Sequence, residues 1–119
     1  MATSEELRTA IRVLEVFRDQ DPDITLPSML AFLYTAEDDG KPNNQFHLEE
    51  RIGLTGATAS RAAAHWYKWK RPRVPGQDMI YSEIDPEDRR YRILYLNKRG
   101  QDFRAKIEEA VRNDHQSKG

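Results

Sequence analysis

The stretch HLEERIGLTGATASRAAAHW, residues 47–66, carries almost no bulk between Leu54 and Trp66, although it lies in the middle of a 119-residue chain that needs large side chains for a core. Gly53 accepts a left-handed backbone at little cost, and Thr55 stands where it can cap a following helix. The spacing therefore predicts a short helix over 48–52, a tight turn, and a second helix running on toward Trp69 until Pro72 and Pro75 stop it. This is the layout of a helix-turn-helix. Within the second helix Ala59, Ala62, Ala63 and Trp66 recur at i, i+3, i+4 and i+7 and share the inward stripe. Ala57, Ser60, Arg61, Ala64, His65 and Lys68 then point outward. That outward set is small at its start and polar further on, as a helix entering a DNA major groove requires, because bulk there would hold it off the base edges. A tightly packed alanine-rich core helix is the other reading, but it has no need of an outward Arg61 and Lys68.

Charge is distributed in keeping with that face. The formal net charge is only −1, which taken alone argues against a nucleic-acid binder. Residues 1–50 hold eleven acids against four bases, however, and residues 51–76 hold six bases (Arg51, Arg61, Lys68, Lys70, Arg71, Arg73) with no acid. A basic middle joined to an acidic beginning can present a positive face to phosphate while the rest keeps the molecule soluble. A solvated loop rich in lysine and arginine accounts for residues 68–73 equally well.

Around this centre the sequence reads as mainly α with one small β-hairpin. Leu7, Ile11, Leu14 and Phe17 recur at helical spacing from a start near Ser4, and DQDPD ends that helix. A second helix opens at Leu26-Pro27 and carries Leu30, Leu33 and Tyr34. MIYSEI and YRILYL read as strands joined by the turn DPEDRR, with Ile80, Ile84, Tyr91, Ile93 and Tyr95 at half-buried positions. Asn97 can cap a last helix with Phe103, Ile107 and Val111 on one face, before a frayed tail. The expected organisation is a single domain over 1–119: a helix over 1–22, a core over 26–96, a last helix over 97–113 and a flexible tail over 114–119.

Leu48, Glu50, Arg51, Ile52, Gly53 and Leu54, followed by Thr58, Ala59, Ser60 and Arg61, resemble the helix-turn-helix of MarR-type winged-helix transcriptional regulators. DPEDRRYRILYLNKRGQDF, residues 85–103, resembles that family's wing, where D-x-R-R at a hairpin tip precedes an alternating strand and a final helix. Two matches in the right order are far more specific than either alone. The resemblance covers residues 26–112, and the first helix by position only.

The resemblance implies a winged helix-turn-helix fold, a helix-mediated homodimer, and a transcriptional regulator, in the first instance a repressor, that binds double-stranded DNA. Ala57, Thr58, Ser60, Arg61 and His65 would face base edges. Thr55, Lys68, Lys70, Arg71, Arg73, Arg89 and Arg90 would meet phosphate or the minor groove, with Glu87 and Asp88 orienting the two wing arginines. Leu7, Ile11, Leu14, Phe17, Phe103, Ile107 and Val111 would supply the dimer interface. The C-terminal helical region is shorter than in typical members, which argues against a small-molecule effector. The segment WYKWKRPRVPGQDM also departs from the family pattern, and its prolines and bases suggest a rigid, positively charged connection with Trp66 in the core and Trp69 shielding the junction.

Other chemistries find little support. His47, His65 and His115 are far apart in sequence and there is no cysteine, so neither a metal site nor any cofactor is expected. Phosphate-cradling glycine loops and nucleophile motifs are missing, which speaks against an enzyme. The acidic opening MATSEELRTA lacks a secretory signal's basic start and apolar run, and no apolar stretch reaches membrane-spanning length, so a cytoplasmic protein without a membrane partner is expected. A winged-helix module that binds a protein instead of DNA is the alternative, because fold does not fix function.

Overall fold

The computed structural model describes residues 2–38, 50 and 56–116, and these fall into two compact units, Met1–Ile24 with Asp102–Gly119, and Thr25–Gln101. The expected helix over 48–52, the Gly53 turn and the Thr55 cap lie outside the described residues. No described helix is long and apolar enough to cross a membrane.

The unit Thr25–Gln101 opens with helix α1a, which is numbered here as α2 because the helix Ala2–Gln20 (α1) precedes it in the chain. Helix α2, Leu26–Glu37, begins where the sequence signals it: Thr25 is extended, its Oγ1 accepts from the Ser28 N–H at 3.4 Å, and Pro27 sits in the first turn, where a missing N–H costs nothing. It buries Ser28, Ala31, Phe32, Thr35 and Ala36, while Leu26 and Leu33 are exposed. Helix α3, Gly56–Ala64, buries Ala59, Ala62 and Ala63 and packs against α2, so small side chains on both helices allow a close approach. Trp66 is fully buried, as the periodicity predicts. Its ring lies 5.0 Å from that of Phe32, and its Nε1–H donates to the Ser28 carbonyl at 2.7 Å.

Helix α3 ends at Ala64, well short of the expected Trp69. The N–H groups of Trp66 and Tyr67 bond back to Ala63 and Ala64, tightening the last turn. The carbonyls of His65, Trp66, Tyr67 and Lys68 then accept from the returning chain, at Gln77, at Met79 and Ile80, at Asp78 and at Gly76 respectively. Beyond this seam, strands β1 (Trp69–Arg71) and β2 (Val74–Pro75) pair antiparallel around the two-residue turn Pro72-Arg73. The prolines therefore build a ribbon of their own instead of a plain connection. Gly76 is obligatory at its base, because a Cβ there would come within 2.1 Å of the Tyr67 carbonyl oxygen.

Strands β3 (Ile80–Ile84) and β4 (Arg92–Leu96) form the second hairpin, in the register Ile80↔Leu96, Ser82↔Leu94 and Ile84↔Arg92. Its root is buried through Ile80, Leu94 and Leu96, and β4 packs against α2. Tyr91, Ile93 and Tyr95 are half-buried as expected, with Tyr95 stacked on Tyr81 at 5.3 Å, but Ile84 is exposed because the outer end of the hairpin leaves the core. Helix α4, Lys98–Gln116, starts at the predicted cap: Asn97 Oδ1 accepts from the Gly100 N–H, and Asn97 Nδ2 donates to the Asp78 carbonyl, each at 2.9 Å. Gly100 meets the Met79 carbonyl so closely that a Cβ would lie 2.2 Å from it.

In the other unit, α1 and the portion of α4 from Asp102 onward bury Phe17, Phe103 and Ile107, and the two phenylalanine rings meet edge to face at 5.4 Å. This corrects the expectation that all seven apolar residues of the end helices serve a dimer interface. Phe17, Phe103 and Ile107 are already buried within one chain, whereas Leu7, Ile11, Leu14 and Val111 remain exposed.

Candidate nucleic-acid interface

The alternation that buries Ala59, Ala62 and Ala63 leaves Ala57, Ser60 and Arg61 exposed on the opposite side of α3, with Thr58 half-buried between the two faces. Among the described residues Arg61 has no carboxylate partner, so its charge is free to meet another group. Thr55 lies outside the described residues. His65 departs from the sequence expectation of a base reader. Because α3 stops at Ala64, the helical period no longer applies one residue later, and the His65 side chain turns inward to 8% exposure, edge-on to Trp66 at 4.9 Å. A side chain so covered does not reach a base edge.

The β1–β2 ribbon follows α3 within a few residues and packs against it. Lys68, Lys70, Arg71 and Arg73 are all exposed on it, and none has a carboxylate partner among the described residues. Trp69 does not shield the junction: it is 54% exposed, in the midst of these cations. Sequence reasoning missed this because prolines read as breakers, and a break gives no clue to which side chains a ribbon will display.

At the tip of the β3–β4 hairpin, Arg89 and Arg90 are both exposed but differ in their partners. Asp88 grips Arg90 in a two-pronged pair, Oδ1 accepting from Nε at 2.9 Å and Oδ2 from Nη2 at 2.8 Å, while Oδ1 also accepts the Arg90 backbone N–H at 3.2 Å. These hydrogen bonds from Arg90 hold the Asp88 carboxyl below its ordinary pKa, and the pair raises that of Arg90. The Arg90 guanidinium also lies 5.6 Å from the centre of the Tyr91 ring. Glu87 caps the turn through its N–H, which donates to Asp85 Oδ1 at 2.8 Å. Arg92, not singled out in the sequence, crosses to β3, where its Nε donates to Ser82 Oγ at 2.8 Å. Burial raises the pKa of Tyr67, and the positive charge of Arg92 works against that shift. Alternation along β4 could have found Arg92, since it occupies an exposed position between two half-buried ones.

No protein-family model and no curated protein matches the sequence. Solved structures do match in fold. The S. aureus MepR–DNA complex superposes with a TM-score of 0.69 at 20% identity, over 99% of this chain and 85% of that one. A marr-like transcriptional regulator from Thermotoga maritima gives 0.64 at 20% identity, over 83% and 63%. A MarR transcriptional regulator from Methanosarcina mazei Go1 gives 0.64 at 14% identity, over 96% and 73%. At such identities the likeness is one of fold: the chain has the winged helix-turn-helix architecture of MarR-type regulators, with α3 in the place of the second helix of the motif and β3–β4 as the wing.

Proposed function

We propose that this winged-helix chain is a sequence-specific, double-stranded DNA-binding transcriptional regulator that acts as a repressor by occupying a promoter. One observation carries the reading. The exposed face of α3 is made of Ala57, Ser60 and an Arg61 without a carboxylate partner among the described residues, while its opposite face packs against α2. Small residues let such a helix sink into the major groove, and an arginine can then bond a guanine edge in two places. Ala57, Thr58, Ser60 and Arg61 read base edges. Thr55, Lys68, Lys70, Arg71 and Arg73 meet phosphate, and Arg89 with Arg90 reaches the minor groove or its flanks. The fold shared with S. aureus MepR, solved as a DNA complex, adds support.

The regulator acts as a homodimer. Leu7, Ile11, Leu14 and Val111 stay exposed in the single chain, an apolar set that a second copy would cover. A two-fold arrangement sets the two reading helices about 34 Å apart, so the bound site is a rough palindrome. Selection of bound duplexes from a random pool tests this directly. Enrichment of one inverted repeat is the expected result, and a pool that stays random through successive rounds would contradict sequence-specific binding.

A further inference from the structure

We propose that the β1–β2 ribbon is a second DNA-contacting finger beside the wing, with Trp69 as its aromatic contact against the deoxyribose edge of the backbone. The proposal rests on the reading of the chain as a duplex binder. Four cations without carboxylate partners among the described residues, Lys68, Lys70, Arg71 and Arg73, surround one exposed indole on a ribbon of two short strands. Lysine and arginine beside an exposed aromatic ring suit a sugar-phosphate edge, where charge meets phosphate and the ring covers apolar sugar.

The ribbon is held firmly enough to aim these groups. Its base is fixed by the hydrogen bonds that tie residues 65–68 to residues 76–80, and by Gly76 pressed onto the Tyr67 carbonyl. It also packs against α3, so it is positioned by the helix that meets the bases. Arg73 adds an independent observation. Pro72 suits the first position of the turn, and Arg73 follows with φ 65°, a left-handed backbone that glycine or asparagine adopts with less strain. An arginine kept at the tip despite that strain points to a use for its side chain.

Trp66 and Trp69 are the only two tryptophans, and Trp66 is fully buried, so the accessible tryptophan emission reports on Trp69 alone. The experiment measures acrylamide quenching of the full chain with and without a random-sequence duplex of about three helical turns, and with the matching single strand. Duplex binding is expected to protect Trp69 from the quencher, and the protection is expected to vanish in Trp69→Phe. Replacing Lys68, Lys70, Arg71 and Arg73 together by serine is expected to make the salt dependence of binding shallower by about three in log–log slope. The buried Trp66 emission, unchanged in this variant, certifies that the fold is intact. Duplex bound with Trp69 still fully quenched, or with the slope of the serine variant unchanged, would overturn the finger while leaving the DNA-binding reading in place. Protection by the single strand and not by the duplex would overturn it in favour of base stacking. Failure of the wild type to bind any duplex would instead overturn the underlying reading, and the finger with it.

Discussion

The indole of Trp66 donates a 2.7 Å hydrogen bond to the backbone carbonyl of Ser28, joining the chain just beyond α3 to the first turn of α2 across thirty-eight positions of sequence. The bond is buried, and the ring that makes it is fully covered beside Phe32. Trp66 thereby fixes the point at which α3 gives way to the ribbon, and so the angle at which both are displayed.

Replacing Trp66 by Phe keeps most of the apolar volume but leaves the Ser28 carbonyl without this donor. A loss of about 1–3 kcal/mol in unfolding free energy is expected, rising to about 3–5 kcal/mol for Trp66→Ala, where a cavity is added. Urea denaturation followed by circular dichroism measures both.

Gly100→Ala reverses an ordinary rule. In an exposed helix interior the change stabilises by about 1 kcal/mol. Here the new Cβ would stand 2.2 Å from the Met79 carbonyl oxygen, where the start of α4 presses on the chain entering β3. A net loss of stability is expected, and a raised thermal midpoint would show that the helix start can shift away at no cost.

Asp88→Ala separates charge from orientation at the wing. Removing a carboxylate beside a polyanion should tighten binding on Coulomb grounds alone. The Asp88 pair aims Arg90, however, and its loss is expected to weaken duplex binding up to about fivefold, in keeping with the modest worth of an exposed ion pair. Tighter binding would mean that Asp88 restrains Arg90 instead of aiming it. Because the Asp88 pKa is lowered in the folded chain, the pair persists above the ordinary carboxylate range and is lost only as pH falls through the lowered value. Wing-dependent affinity is therefore expected to be flat from about pH 5 upward.

The end helices allow a paired comparison. Leu7→Glu with Leu14→Glu alters two exposed positions and is expected to dissociate the dimer in sedimentation equilibrium without loss of helix content. Phe17→Ala opens a buried site against Phe103 and is expected to cost about 3–5 kcal/mol of stability. Persistence of the dimer in the double glutamate variant would place self-association elsewhere.

Much of the fold was legible wherever one local signal had one outcome. Thr25 with Pro27 marks the start of α2, Asn97 that of α4, and the alanine period of α3 assigns its buried face. The signals failed where a period was carried past its element or where two partners could claim the same residues. His65 was assigned outward by a helix that had already ended, and its burial depends on the backbone turn at 65–67. Helix α2 is apolar around most of its circumference, so the sequence could not say that Leu33 would be outside and Thr35 inside. The stripe shared by Phe17 and Leu14 reads alike in both, and only three-dimensional packing separates a residue buried within one chain from one left for a second. The β1–β2 ribbon was hidden because its strands are too short to show alternation and contain a proline.

Arg61 bears most directly on the central claim that the exposed face of α3 reads bases. Binding of wild type and Arg61→Ala is to be measured against the selected palindrome and a scrambled duplex at one salt concentration. Wild type is expected to prefer the palindrome, and the variant to lose about 1–3 kcal/mol on the palindrome with little change on the scrambled duplex. An equal loss on both would reduce Arg61 to a phosphate contact and contradict base reading by this helix.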